Sequence, residues 1–444
     1  MDDKVIIENF AKDHKWKEIL SIFKSPPILE PLFIKCFYIL ANYYENYDHF
    51  QFIVTNILSN PNEYDEVTYV LLNYKFHEVC HEIIQIGLSI YKNNIFLLFK
   101  KSISSYYIGK SDDGLQSCDL LLLNKHTPDY IYKNSLNNLD FYIFSPFIQR
   151  KRITDIPILY PFRPMNLTIL NKNNYYLALF RTVNYVIEST GKFLYEGKLS
   201  SLTTIIKFSP SLNYTFLKPI NTDNLNITKY NSDIIGLEDC RFIDNNLIIA
   251  TSAEYNKHSI PQIVLIRLLD NFDIQSIHPL FYENEYKCEK NWIPLPNQLH
   301  TDKILKFIYS FDPFTVISID TENNYKSSLF ETIQYDLCFR EIRGSTNFID
   351  FNDGYLLLLH YSKNIIPRIY YHRLCWFSKD FTKGKISSSF YFESKQIEYC
   401  TGMCFTLDNE NLLFSYTVND DKTSFAILPI SLLNNLLYLD FSKT

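Results

Sequence analysis

The sequence predicts an α+β multidomain protein, in which an N-terminal α-helical domain of TPR-like or α-solenoid type precedes an all-β five-bladed β-propeller. Two observations carry this prediction. Apolar residues recur at helical spacing up to about residue 135, and short β-branched and aromatic runs recur from about residue 155 onward. The chain has 444 residues, of which 46% are hydrophobic, enough for more than one core. We therefore expect a helical domain over 1–135, a linker over 136–154 and a propeller over 155–444.

The N-terminal third shows apolar residues at the spacing of amphipathic helices. PLFIKCFYILANYYENYDHF repeats them at i, i+3, i+4 and i+7, in Phe33, Cys36, Phe37 and Leu40. FHEVCHEIIQIGLSIY carries a similar series in Val79, Ile83, Ile86 and Ile90. Helix pairs of this size, stacked in series, form α-solenoids. We expect such a domain to dock a protein partner.

One motif in this third has a metal-binding alternative. HEVCH at 77–81 matches the zincin pattern H-E-x-x-H, in which two histidines on one helix face bind zinc and the glutamate acts as base. The sequence offers no third ligand beside it, and the segment also fits an ordinary amphipathic helix. We interpret it as structural, and no metal site is predicted in the chain.

The remaining two thirds consist of short strand-like runs. YYLALFR, NLIIATS, KILKFIYS, GYLLLLHYS and NLLFSYT recur at intervals of roughly 50–70 residues, and most are followed by a polar turn and a second run. Five such units without helical segments between them are typical of a five-bladed propeller. A β-sandwich is the alternative, but it leaves the repeat unexplained.

Charge and targeting patterns exclude several classes of function. The net charge is −6, from 43 basic and 49 acidic residues without a basic run, so nucleic acid is not expected as a partner. No apolar run reaches the roughly 18 residues of a membrane span. The start, MDDKVIIENF, lacks a secretory signal, and the nine cysteines show no framework spacing. We expect a cytoplasmic protein with reduced thiols.

A charged stretch directly before an apolar strand, GLEDCRFI at 236–243, is the strongest candidate for chemistry. Side chains alternate in an extended strand, so Asp239 and Arg241 are expected on one face, and Glu238 and Cys240 on the other. An acid and a cation on one face fit an active site. By itself this pattern is more often a structural cross-strand ion pair, and the residues alone leave both interpretations open.

The strand-rich part resembles the family 130 glycoside hydrolases and phosphorylases and the related β-mannosyltransferases. Their motif, G-x-E-D-P-R before an apolar strand, is present as Gly236, Glu238, Asp239 and Arg241, with Cys240 in place of proline. Other landmarks follow in the family's order, namely RPMNLTI, YYLALFR, EKNWIPLP, RGSTNF, GYLLLLHYS and IEYCTG. The resemblance is closer still to an uncharacterised group in which helical repeats precede such a propeller.

The resemblance implies an active site in the propeller channel. Asp239 would be the general acid of a glycosyltransferase or glycoside phosphorylase that acts with inversion on β-mannoside-like sugars. The implied substrate-binding residues are Asn166, Arg181, Glu238, Arg241, Asp312, Glu398 and Asp420. The implied phosphate- or donor-binding residues are Lys290, Asn291, Arg343, His360 and Tyr371.

The implied partners are a sugar or glycan substrate together with inorganic phosphate, a sugar phosphate or a nucleotide sugar. No metal or other cofactor is required by this chemistry. Asp312 falls where phosphorylases of the family carry a cation, and a carboxylate there would repel phosphate. A glycoside hydrolase is therefore one alternative. A catalytically inactive glycan-binding propeller, whose helical domain docks a protein, is the other.

Overall fold

This computed structural model describes residues 31–147, 149–188, 190, 192–223, 225, 227–363, 365–366 and 368–444. The chain divides into two compact units, Met1–Ile143 and Phe144–Thr444. Residues 1–30 of the predicted helical domain lie outside the described residues. Among the described residues, no helix is long and apolar enough to cross a membrane.

The first unit is helical over its described part. Its helices are α1 (Pro31–Glu45), α2 (Phe50–Ile57), α3 (Pro61–Asn73), α4 (His77–Ile90), α5 (Ile95–Tyr107), α6 (Ser111–Leu122) and α7 (Asp129–Leu139), with a 3-10 turn at Tyr47–His49. Each helix packs against helices one or two places away along the chain. The predicted N-terminal helices are confirmed, and their TPR-like or solenoid arrangement stays a prediction.

The HEVCH motif lies at the start of α4 and takes part in packing. Val79 and Cys80 are buried in the helical core. The His81 ring is buried within 3.1 Å of the Ser104 hydroxyl and 3.2 Å of the Gln85 amide, and the His77 ring stacks on Tyr107 at 3.9 Å. The described residues contain no group of three or more His, Cys, Asp or Glu placed to hold a metal ion.

The second unit is a five-bladed β-propeller of antiparallel sheets, which confirms the predicted fold over the sandwich. Blade 1 consists of β2 (Arg163–Asn171), β3 (Tyr176–Val183), β6 (Leu199–Phe208) and β7 (Tyr214–Pro219). Blade 2 consists of β9 (Glu238–Phe242), β10 (Leu247–Ser252), β11 (Gln262–Leu268) and β12 (Ile274–Leu280). Blade 3 consists of β13 (Ile293–Pro294), β14 (Ile304–Phe311), β15 (Phe314–Asp320) and β16 (Lys326–Ile333).

The last two blades use strands from distant parts of the chain. Blade 4 consists of β17 (Arg343–Gly344), β18 (Ile349–Phe351), β19 (Gly354–Lys363), β20 (Ile369–Ser378), β21 (Lys383–Ser387) and β25 (Leu437–Ser442). Blade 5 consists of β22 (Glu398–Phe405), β23 (Asn411–Val418), β24 (Lys422–Pro429) and β1 (Gln149–Arg152). The remaining elements are the hairpin β4 (Tyr185–Ile187) and β5 (Phe193–Tyr195), strand β8 (Ile234–Ile235), helix α8 (Leu433–Leu436), and 3-10 turns at Asn297–Leu299 and Ile430–Leu432.

Strand β1 closes the ring. It pairs antiparallel with β24, so the start of the unit completes a blade built from its end. Its sequence, QRKR, lies within the stretch predicted as a linker, 136–154, and the propeller therefore begins before residue 155. The prediction missed it because an exposed outer strand without apolar alternation gives no strand signal.

Apolar strands fill the spaces between blades. All residues of β3 and β10 are buried, as expected for a continuous apolar run covered on both faces. Leu167 and Phe180 of blade 1 pack with Leu413 and Phe425 of blade 5 in one core cluster. The innermost strands are β2, β9, β13, β17 and β22, and β2 lies against both β9 and β22. These strands surround the channel.

Candidate active site

A cavity of about 440 Å³ lies among the innermost strands, and every blade contributes to its wall. Its volume is within the range of roughly 300–1,000 Å³ that small-molecule sites occupy. The cavity brings together eight of the predicted site residues, namely Asn166, Arg181, Asp239, Lys290, Asn291, Arg343, His360 and Asp420. They come from sequence positions far apart, and the ring of blades makes them neighbours.

Within the described part of the chain, only one of the two carboxylate oxygens of Asp239 accepts hydrogen bonds from neighbouring side chains. Asn166 Nδ2 donates to Oδ1 at 2.7 Å, and an Arg181 guanidinium nitrogen donates to the same atom at 3.0 Å. Among the described residues, Oδ2 has no hydrogen-bond partner, and Asp239 is only half-buried. One oxygen is therefore fixed, while the other is available to a ligand in the cavity.

Glu238 shares the guanidinium of Arg181. A second Arg181 nitrogen donates to Glu238 Oε1 at 2.8 Å, and the Lys290 ammonium lies 3.3 Å from Oε2. Arg181 is 5% exposed, and its Nε also donates to Ser201 Oγ at 3.0 Å. This pattern makes Arg181 the group that orients both acids of the GLEDCRFI motif.

The predicted alternation of side chains is wrong at Asp239. Its φ is 48°, in the left-handed region, and the pairing of β9 with β10 shifts register there, because Ile249 pairs with Arg241 while Thr251 pairs with Glu238. One extra residue in β9 is the mark of a β-bulge. The bulge brings the carboxylates of Glu238 and Asp239 to the same guanidinium. Such backbone strain costs on the order of 1–3 kcal/mol and clusters at functional sites.

Gly236 sets up the turn into this bulge. Its φ is 94°, and a Cβ there would lie 2.0 Å from the carbonyl oxygen of Ser201. We expect Gly236→Ala to lower the free energy of unfolding by about 2–5 kcal/mol, from a left-handed conformation and a backbone clash together. Urea denaturation measures it. Gly197→Ala is the matched control, since its φ is 72° and a Cβ there meets nothing within 4 Å. Equal losses in both variants would contradict the close approach at Gly236.

Arg241 lies beneath the cavity instead of lining it. It is 2% exposed, and its guanidinium donates to the carbonyl oxygens of Asp239 and Ser345 at 3.1 and 3.2 Å and to the Tyr399 hydroxyl at 3.1 Å. It therefore joins the inner edges of blades 2, 4 and 5. It fixes the backbone of Asp239, whereas Arg181 fixes the carboxylate.

Two acids in the cavity have opposite electrostatic surroundings. Burial raises the pKa of Asp239, but the charges of Arg181, Arg241 and Lys290 and the Asn166 hydrogen bond outweigh burial and lower it. Burial raises the pKa of Asp420 to about 6, with Arg181 opposing and the nearby carboxylates reinforcing the shift. At neutral pH Asp239 is therefore ionised, and Asp420 changes charge close to physiological pH.

We expect Asp420→Asn to stabilise the protein at neutral pH. The folded-state pKa of Asp420 lies above its unfolded value, so the folded state binds the proton more tightly, and stability falls as pH rises from about 4 to about 6. The variant should unfold with a free energy about 1–2 kcal/mol higher at pH 7 and no different near pH 4, as measured by urea denaturation. Asp421→Asn, which removes an exposed 3.2 Å contact with Arg163, is the control without this pH dependence. A constant difference from pH 4 to 7 would contradict the assignment.

Part of the cavity wall carries positive charge without a carboxylate partner among the described residues. Arg343 and Arg368 are exposed, and neither has a carboxylate partner among the described residues. Burial, together with Arg343 and Arg241, lowers the pKa of His360 to about 3, so its ring is neutral. Guanidinium groups bind phosphate and carboxylate in a bidentate manner, so this wall suits an anion.

Besides Glu238 and Arg241, three predicted residues lie outside this cavity. Glu398 is fully buried and accepts the backbone N–H groups of Phe392, Glu393 and Ser394, so it holds a loop. Tyr371 is buried beside Tyr361, with ring centroids 5.5 Å apart. Asp312 lines a separate neighbouring cavity, where its Oδ2 accepts from Cys338 Sγ at 3.1 Å.

Sequence reasoning missed five polar residues that line the cavity: Glu341, Ser362, Arg368, Tyr370 and Tyr399. Three of them follow from strand periodicity. Tyr399 neighbours Glu398 and Tyr370 neighbours Tyr371, and adjacent strand residues face opposite sides. Ser362 lies two residues after His360 in β19 and shares its face. The period-two rule, applied from His360, would have found it.

Comparison with known proteins gives fold likenesses of low identity. The chain matches no family model and no curated protein sequence. It is similar to the structure of a β-1,2-mannobiose phosphorylase from Listeria innocua with β-1,2-mannobiose, at TM-score 0.45 and 14% identity, over 65% of this chain and 99% of that chain. It is also similar to a mannose phosphorylase from Leishmania mexicana in complex with phosphate ion, at TM-score 0.40 and 9% identity, over 66% and 94% of the respective chains.

A thermostable family-43 glycoside hydrolase is a third similar structure, at TM-score 0.36 and 11% identity, over 61% of this chain and 90% of that chain. At such scores these likenesses by themselves assign no activity to the chain. The five-bladed fold is established by the sheets described above, and an activity has to be argued from the cavity.

Proposed function

We propose that the propeller is a carbohydrate-active enzyme that transfers a glycosyl group between a sugar hydroxyl and a phosphate-bearing partner. The activity would be that of a glycosyltransferase or glycoside phosphorylase acting on β-mannoside-like sugars. One observation carries the proposal. Asp239, with one oxygen held and the other free, shares a cavity with the unpaired guanidinium groups of Arg343 and Arg368. In this proposal Asp239 is the proton-transfer group, and Arg343 and Arg368 form the anion site of the same cavity.

The charge state of Asp239 suits the direction of glycoside synthesis. An acceptor hydroxyl attacks the anomeric carbon of a glycosyl phosphate, the bond from that carbon to the phosphate oxygen breaks, and its electron pair leaves with the phosphate. The hydroxyl proton passes to Asp239, which must start ionised, and its lowered pKa meets that condition. In the reverse direction the protonated Asp239 is the acid that the family resemblance implies. Attack from the face opposite the phosphate inverts the anomeric configuration.

Other residues have supporting roles in this proposal. Asn166, which donates to Asp239 Oδ1 at 2.7 Å, would position that carboxylate for the sugar. Asp420, which lines the same cavity, would accept a hydrogen bond from a sugar hydroxyl. Lys290, Arg343 and Arg368 would carry the phosphate. His360, being neutral, would act as a hydrogen-bonding group on that side.

A glycan-binding propeller without turnover is the second candidate. The observation that favours it is the lowered pKa of Asp239, because a general acid has to be protonated at working pH. The helical unit would then dock a protein partner while the propeller holds a glycan.

The test supplies mannose as acceptor with either α-mannose 1-phosphate or a nucleoside diphosphate mannose as donor. We expect a β-mannoside as product, detected by NMR, with release of phosphate or nucleoside diphosphate. The matched reverse reaction uses β-1,2-mannobiose with and without phosphate. Equal cleavage without phosphate would identify a hydrolase. Saturable sugar binding without product in either direction would identify the binding protein, and both results would overturn the transferase proposal.

A further inference from the structure

A second cavity of about 590 Å³ adjoins the candidate active site, between blades 3 and 4. The two cavities share four lining residues, namely Lys290, Asn291, Glu341 and Arg343. These residues form a common wall, so one ligand can contact both spaces. The second cavity far exceeds the size of a tetrahedral anion such as phosphate, and its larger part lies away from the shared wall.

The far side of the second cavity suits a neutral ring with hydroxyl groups. Tyr309, Phe311 and Phe339 line it next to Ser310 and Asp312, with the Tyr309 side chain half-buried and the two Phe side chains 5% and 2% exposed. Aromatic side chains offer flat apolar surface to a planar ring. A carboxylate accepts hydrogen bonds from ring hydroxyls, and Asp312 is exposed to the solvent-filled space.

Charge restricts where an anionic group can bind. Arg343 lines both cavities and has no carboxylate partner among the described residues. Lys287, which lines only the second cavity, is paired with Glu283 at 2.7 Å. Asp312 would repel an anion on the far side. The shared wall sets two cations, Lys290 and Arg343, against one lining carboxylate, Glu341, so an anion is favoured there, and the group that extends past Asp312 is uncharged.

We propose that the second cavity binds the nucleoside of a nucleoside diphosphate, with the diphosphate on the shared wall against Lys290 and Arg343. The inference deepens the proposed function, on which it rests for the transferred sugar, by naming the donor as a nucleoside diphosphate sugar. The base lies among the aromatic rings, and a ribose hydroxyl donates to Asp312. The Asp312 carboxylate, which would repel free phosphate, then binds the ribose of the donor.

Cys288 offers a direct readout of occupancy. It lines the second cavity, and of the nine cysteines, all of which lie in the described part of the chain, it alone is exposed. A nucleoside in the cavity should shield its thiol from alkylation. The readout needs no turnover and therefore separates this inference from the proposed function.

The experiment follows alkylation of Cys288 by iodoacetamide with intact-protein mass spectrometry, in the presence of GDP, UDP, ADP, pyrophosphate or inorganic phosphate. At a concentration about ten times its Kd, the preferred nucleoside diphosphate should slow alkylation about tenfold, whereas inorganic phosphate should slow it less than about twofold. Arg343→Met should abolish the protection with an unchanged melting temperature. Lys303→Met, the matched control, removes an exposed 2.7 Å pair with Glu322 outside both cavities and should keep it.

Two results would overturn the inference. One is equal protection by phosphate, pyrophosphate and nucleotides, which would show a simple anion site. The other is the absence of protection by any nucleoside diphosphate in a protein that remains folded. Protection by a nucleotide without sugar transfer would support the nucleoside site and contradict the proposed function. Sugar transfer from mannose 1-phosphate without protection by any nucleotide would support the proposed function and contradict the nucleoside site.

Discussion

Asp239→Asn is expected to lower the rate of glycosyl transfer by about two to four orders of magnitude while the protein stays folded. The amide oxygen can still accept from Asn166 and Arg181, which now hold Oδ1 at 2.7 and 3.0 Å, so the geometry should persist. What the variant loses is the proton acceptor. Turnover and melting temperature, measured on the same preparation, give both quantities.

Glu238→Gln is the matched control for this variant. Glu238 is bound by the same guanidinium at 2.8 Å but does not line the cavity, so its rate should fall less than about tenfold. If Asp239 were only a structural partner of Arg181, Asp239→Asn would lose about 1–3 kcal/mol of unfolding free energy with unchanged turnover per folded molecule. Unchanged turnover would therefore contradict the catalytic role.

Arg181→Met is expected to have the largest effect on stability. It removes the cation that two partly buried carboxylates share, and breaking a buried ion pair from one side costs about 3–5 kcal/mol. Without Arg181 the pKa of Asp239 should rise, because that charge is the strongest of those that lower it. Asp239 then protonates more readily, so the deficit should be largest at pH 7 and shrink as pH falls towards 4.

Urea denaturation at pH 7 and pH 5 measures this effect. Arg163→Met is the control, since Arg163 forms an exposed 3.2 Å pair with Asp421 and such pairs contribute about 0–1 kcal/mol. A deficit for Arg181→Met no larger than that of Arg163→Met would show that Arg181 does not organise the motif.

The fold could be predicted from the sequence because the spacing of apolar residues shows which faces of helices and strands are buried. Helical spacing and repeated strand runs predicted the helices and the five blades, whereas the outer strand β1 escaped notice because QRKR buries no apolar face. Residues that the family resemblance implied, such as Asn166, Arg181 and Asp239, meet in one cavity.

Two of the implied residues lie one place away from a residue that lines the cavity. The resemblance implied Glu398 and Tyr371, whereas Tyr399 and Tyr370 line the cavity, because a shift of one residue along a strand exchanges its two faces. The bulge at Asp239 depends on a positive φ that alternation does not reveal. The sequence motifs therefore indicated which segments of the chain form the site. The register of each strand and the bulge at Asp239 determine which side chains of those segments line the cavity.

The most direct test of the account is a crystal structure of the protein soaked with mannose and inorganic phosphate. The account predicts a sugar ring in the channel cavity, with a hydroxyl at hydrogen-bond distance from Asp239 Oδ2, and phosphate against Arg343 in the same cavity. A channel cavity without sugar, in crystals where mannose binds at another site on the chain, would contradict it.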